Sequence, residues 1–210
     1  PAVPVVESLH GELLDTMQKA KTLGYQGRFD KLRAALGESF DLEFMARKAV
    51  GRSWKKFTEP EQERWLDSFQ RVTCANYADR FTGFSGQSFE TLGVDPASHE
   101  TVMVRTRLID PEGDNVALNY RLIETPDGWR IIDVYLDGTV SELALRRSEY
   151  SAVIKRDGLD ELVAPRLHLH HDADVVNQAG EEGFIGQPQP GLVGQKAGTC
   201  GHRDAVGPQV

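Results

Sequence analysis

The 210-residue chain is poor in the features that announce most chemistries. It has two cysteines, Cys74 inside an apolar-periodic segment and Cys200 in a glycine-rich stretch. A structural disulfide between them is not expected, and free thiols leave the compartment open. No run approaches the ~18 apolar residues of a membrane helix, which excludes a helical span. Basic residues are outnumbered 24 to 32, giving a formal net charge of −8, and no basic cluster interleaved with aromatics stands out, so nucleic acid is not an expected partner. No serine or cysteine sits in a nucleophile elbow, and no glycine-rich phosphate loop appears. Before Pro165 the chain carries only His10 and His99. His168, His170 and His171 have ligand-like spacing but no neighbouring cysteines, so neither a metal nor a cofactor is assigned. The chain opens at Pro1 without methionine or signal segment, as expected of a processed or trimmed polypeptide.

What is present is organised around Glu100–Gly138, where three apolar-alternating runs are separated by two turn signals. Val102, Val104, Thr106 and Leu108 share one face of the first run, and Val116, Leu118, Tyr120 and Leu122 one face of the second. Asp110-Pro111-Glu112-Gly113-Asp114 and Thr125-Pro126-Asp127-Gly128 supply the preset and positive φ of turns. An antiparallel meander follows. The third run is apolar on both faces, with Trp129, Ile131 and Tyr135 on one and Ile132, Val134 and Leu136 on the other. Both sides are therefore expected to be covered, by helices or by an apolar ligand. A further strand is expected over Ser88–Leu92.

Helical spacing predicts an amphipathic helix from Val5 to Leu23, ending near Gly24, then a short one from Arg28 to Leu36 and a third from Leu42 to Val50. Thr58-Glu59-Pro60-Glu61 is a capping box that opens the longest helix, Glu59 to Phe81. Its stripe of Leu66, Phe69, Val72, Thr73, Tyr77 and Phe81 reads first as core, and second as the wall of a cavity. Thr139-Val140-Ser141-Glu142 repeats the capping pattern before a helix to Asp157, with Val140, Leu143, Arg147, Tyr150 and Ile154 on one face. A short helix, Leu159–Val163, ends at Pro165. The chain thus divides into an α+β domain, 1–165, and a Gly/Pro-rich tail, 166–210, in which 177–210 reads as mobile or loosely docked.

Asp133 is the one carboxylate on its apolar strand. It reads either as a base of raised pKa in a pocket or, preferably, as the partner of Arg105, Arg107 or Arg121.

FDLEFMARKAVGRSWKKFTEPEQERWLDSFQRVTCANYADRF, together with WRIIDVYLDGTVSELALRRSEYSAVIKRDGLDELV, resembles the MlaC family of periplasmic lipid carriers, which includes the toluene-tolerance auxiliary proteins. Two separated blocks agree in order and register over Val5–Val163. TVMVRTRLIDPEGDNVALNYRL and RRSEYSAVIKRDG are most similar to its hopanoid-associated, HpnM-type branch. The resemblance implies a curved, mainly antiparallel sheet packed against several helices and enclosing an apolar lipid pocket. It also implies a non-enzymatic carrier in the periplasm, moving phospholipid or hopanoid between inner and outer membrane, with an inner-membrane lipid transporter as partner and transient contact with the membrane surface. The tail departs from the family pattern and inherits nothing from it.

Such a role has a physical basis. At ~0.8 kcal/mol per buried methylene, exposing a sixteen-carbon tail to water costs roughly 12 kcal/mol, so crossing an aqueous gap calls for a dry cleft and no catalysis. The expected cavity residues are Val102, Val104, Leu108, Leu118, Tyr120, Leu122 and Val134 on the sheet, Phe69, Val72, Tyr77 and Phe81 on the long helix, and Tyr150 and Ile154 on the last. Arg147 is expected to pair with Asp133 or Glu142, or else to meet a lipid head group. Two rival readings are an isomerase or dehydratase using Asp133 with Tyr120 or Tyr135, and an interaction module that docks a membrane transporter without any internal cavity.

Overall fold

The computed structural model describes residues 1–111 and 113–164. The tail 166–210, with its histidines and Cys200, lies outside the described residues. Cys74 is free and buried.

Five strands form one antiparallel sheet in the order β1-β2-β3-β4-β5: β1 Ser88–Ala97, β2 Thr101–Ile109, β3 Val116–Thr125, β4 Gly128–Leu136 and β5 Val140–Ser141. The expected meander is β2–β4. The strand before it runs to Ala97 rather than Leu92, because the register shifts between Thr91 and Gly93 and pairing then resumes, with Val94 opposite Val104.

A second bulge changes the expected faces of β4. Arg121 pairs with Asp133 but Leu122 pairs with Ile131, so Ile132 is the extra residue and Ile131 joins Val134 on one side. Strict alternation had placed them on opposite sides. Ile131, Ile132, Asp133 and Val134 are all buried, so the strand is covered on both faces as expected. The cover over Asp133 is protein, the start of the last helix.

The helices are α1 Val3–Gln18, α2 Ala20–Ser39, α3 Leu42–Val50, α4 Glu59–Arg80 and α5 Glu142–Val163, with a 3₁₀ turn Gly51–Lys56 before α4. The single helix expected over Val5–Leu23 is broken at Lys19, and the helix expected from Arg28 belongs to α2, kinked at Gly24. Apolar spacing runs across the break because Ala20 is buried with Met17, so periodicity alone does not reveal it. The return of α2 along α1 is pinned by Lys31, which bridges Glu12 at 2.5 Å and Asp15 at 3.0 Å. Arg28 then ties α2 to α4 by donating from Nε to the Ala78 carbonyl at 3.0 Å.

Caps follow the sequence with one exception. Asp41 accepts from the Phe44 amide at 2.9 Å, and Glu61 reaches back to the Thr58 amide at 2.7 Å. The last helix starts later than its Thr139 signal. Asp137 and Gly138 take positive φ, Val140–Ser141 pairs with β4 as β5, and Ser141 becomes the cap, accepting from Ala144 N at 3.0 Å. Gly158, expected to close the helix, sits at its internal kink.

Candidate functional site

Antiparallel register builds one continuous apolar wall. Tyr120 lies between Val104 and Val134, Leu122 between Val102 and Ile131, Leu118 between Thr106 and Leu136, and Leu108 beside Phe89. Paired residues share a face, so these side chains point together toward the helices. Val104, Leu108, Leu118, Tyr120, Leu122 and Val134 are buried there, and Val102 is half-buried. The helix α1 lies over this wall and presents Val6, Leu9, Leu13 and Met17, all in the same core cluster.

The residues expected on α4 and α5 form two groups. Tyr77 stacks on Phe81 with ring centroids 5.7 Å apart and meets Phe40 edge-on at 6.1 Å. Phe40 bridges to Ile131, which links this group to the sheet. Phe69 and Tyr150 both pack on Trp65, at 5.7 and 5.2 Å. Trp65 is held by donating from Nε1 to the Ala46 carbonyl at 2.9 Å. Ile154 is half-buried against the cluster, whereas half-buried Val72 lies outside it. The structure thus brings the sheet residues together by register, and Tyr77 and Phe81 to them through Phe40.

Sequence reasoning passed over the cleft between α1 and β1. Its volume is about 530 Å³, and it is lined by Glu7, His10, Gly11, Leu14, Phe89 and Thr91. That size falls in the ~300–1,000 Å³ range of small-molecule sites. At its floor His10 stacks on Phe89, ring centroids 3.8 Å apart, and its Nε2 lies 3.1 Å from the Tyr120 hydroxyl. Burial drives the His10 pKa down to about 3, so the imidazole is neutral, and the Tyr120 hydroxyl is likewise held un-ionised by burial. Glu7 accepts from the Thr91 hydroxyl at 3.2 Å, joining the two walls. Nothing lies within 4 Å of a Cβ added at Gly11. The missed signal was positional: His10 falls four residues after Val6 and beside Leu9 and Leu13, on the buried stripe.

A second cleft of about 360 Å³ is bordered by Phe40, Asp41, Glu43, Gln70, Asp127 and Arg130 among others, and is polar in character.

Asp133 lines neither cleft. Its carboxylate accepts from the Ser141 hydroxyl at 2.6 Å and from the amides of Val134 and Leu143 at 2.9 and 3.1 Å. Burial raises its pKa against these hydrogen bonds. The expected arginine partners hydrogen-bond or ion-pair elsewhere, Arg105 with Asp95, Arg107 with Glu90, and Arg121 with Thr101 and Ser98, although the Arg121 charge on the facing strand still acts to lower the Asp133 pKa. Asp133 is therefore a clamp on the start of α5. Arg147 pairs with neither acid expected for it. Glu142 faces Arg80 at 3.5 Å, and the exposed Arg147 side chain lies over Gly51, where an added Cβ would stand 3.1 Å from Nε.

Compared with known proteins, residues 7–165 match the family described as MlaC protein. The chain belongs to the MlaC family. Its MlaC-type fold is shared with a phospholipid-binding protein from Ralstonia solanacearum, solved in complex with a phospholipid. The two are 22% identical with a TM-score of 0.68, over 83% of this chain and 97% of that one. No curated protein matches the chain significantly. Among the described residues of this MlaC-family chain, no helix is long and apolar enough to cross a membrane.

Proposed function

We propose that this protein is a lipid carrier of the periplasm, not an enzyme, which binds a phospholipid or hopanoid and shuttles it between the inner and outer membranes. The observation that carries this reading is the α1/β1 cleft. It opens at the edge of the apolar wall carried by β2, β3 and β4, in a chain of the MlaC family whose structural neighbour is a phospholipid-binding protein. The hydrocarbon tail enters past Gly11, Leu14 and Phe89 and lies against Val104, Leu118, Tyr120, Leu122 and Val134, with Val102, Leu108, Tyr77, Phe81, Phe69, Val72, Tyr150 and Ile154 as the outer shell that yields to it. Arg147, which lies over Gly51 and borders neither cleft, is left out of this reading. An inner-membrane lipid transporter loads or unloads the carrier, and the hopanoid-associated branch gives the cargo its narrower identity.

Making room for a tail means lifting α1 from β1. The Glu7–Thr91 hydrogen bond and the His10–Phe89 stack are the contacts that must part, since both join α1 to β1. The isomerase reading loses its base, because the three donors that hold Asp133 belong to the α5 start and to its own strand.

Native mass spectrometry of the purified protein tests the proposal by finding a co-purifying phospholipid or hopanoid. Gly11→Trp fills the open space in the cleft and should leave the protein folded but empty. A wild-type protein that is reproducibly empty, and that takes up no lipid from vesicles, overturns it.

A further inference from the structure

The acid excess of this chain is not spread evenly. Between Glu43 and Glu59 the sequence FMARKAVGRSWKKFT carries Arg47, Lys48, Arg52, Lys55 and Lys56 and no carboxylate. Along the chain these cations are flanked by acids, which hides them from a composition reading. In space they gather at the C-terminal half of α3 and on the 3₁₀ turn that follows, and all five are exposed.

Arg147 joins them from α5, its guanidinium lying against Gly51. The neighbouring acids are mostly committed: Glu43 pairs with Arg47, Glu149 with Arg146 and Glu61 with Thr58, leaving Glu59 as the nearby exposed carboxylate. Among the described residues no ion pair engages Lys48, Arg52, Lys55, Lys56 or Arg147.

The patch is both stiff and amphipathic. Gln62 donates from Nε2 to the Trp54 carbonyl at 3.3 Å and to the Phe57 carbonyl at 3.1 Å, fastening the turn to α4. Arg47 lies over the half-buried Trp54 ring at 5.4 Å, and Lys48 over Phe44 at 5.1 Å. These basic side chains border neither of the two clefts described above. Clustered Lys and Arg charge beside a half-buried tryptophan matches an anionic lipid headgroup layer.

We propose that the α3–3₁₀ face, with Arg52, Lys55, Lys56, Lys48 and Arg147, docks the protein onto the surface of an anionic bilayer. The face gives residues to the transient membrane contact that the family resemblance implies, and it does not depend on the cargo, since a surface contact needs no bound lipid. In a chain of net charge −8, it also sets orientation, because the remaining surface is repelled by the same membrane.

The test is co-sedimentation of the full chain with phosphatidylglycerol-containing vesicles and with pure phosphatidylcholine vesicles, at low and raised salt. Wild type should bind the anionic vesicles alone and release them as salt rises. The combined Arg52→Gln, Lys55→Gln and Lys56→Gln variant should bind on the order of 100-fold more weakly, since each basic side chain near an anionic surface contributes about a factor of five. Its circular dichroism melt should be unchanged, because all three side chains are exposed. Vesicle binding that ignores lipid charge, or that survives in the variant, overturns the proposal, as does loss of binding to an acidic protein with vesicle binding intact. Co-purified lipid is measured in the same samples, so an empty protein that still binds anionic vesicles refutes the cargo and not the docking face.

Discussion

Lowering the pH from about 7 to about 5 should cost the folded protein about 2 kcal/mol through His10 alone. The ring is 3% exposed, stacked on Phe89 and within hydrogen-bonding distance of the Tyr120 hydroxyl. Burial lowers its pKa from 6.5 to about 3. In the unfolded chain the imidazole takes up its proton near pH 6.5, and in the folded chain it does not. Between those values the unfolded state binds more protons, so stability rises with pH by about 1.4 kcal/mol per unit. At pH 5, well above the folded value, the loss is set by the unfolded value alone.

Other groups titrate too, with signs that must be separated. Asp15, held low by Lys19 and then Lys31, and Glu61, held low by Thr58, lose stability further into acid. Asp133, raised by burial, takes up a proton more readily when folded and so opposes the trend. The His10 share is therefore read as the difference between wild type and His10→Gln, which keeps a polar group facing Tyr120 but cannot titrate there. Urea midpoints measured at pH 7, 6 and 5 should converge on acidification by about 2 kcal/mol in the wild-type-minus-variant difference. Parallel curves would refute the reasoning and mean that His10 is hydrated in the native state, with the α1/β1 cleft already open.

Two glycines isolate backbone conformation from packing. A Cβ at Gly24 or Gly11 meets nothing within 4 Å, but Gly24 has φ 61° and ψ −172°. Gly24→Ala should destabilise by about 1–3 kcal/mol, whereas Gly11→Ala, in an ordinary helix interior, should stabilise by about 0.5–1 kcal/mol. Denaturation of both variants checks the opposite signs. Asp133→Asn should cost about 1–3 kcal/mol in the same assay by mispairing one of three donors, while co-purified lipid stays at the wild-type level. Loss of lipid without loss of stability would assign Asp133 to a ligand.

Alternation and turn residues determined the meander from sequence, because Val104, Leu108, Leu118, Tyr120 and Leu122 follow the period of a strand with one face buried. Helical spacing and the Thr58 capping box likewise determined α3 and α4, and two ordered blocks pointed to the family. These are local properties, carried by residues a few positions apart. Only tertiary structure decided the break at Lys19, the bulge that turns Ile131 beside Val134, the clamp of Asp133 on α5 and the meeting of His10 with Tyr120. Each depends on a contact formed after the elements pack, and the His10–Tyr120 pair spans 110 positions of chain. Periodicity says which side of an element is buried, but not what that side will touch.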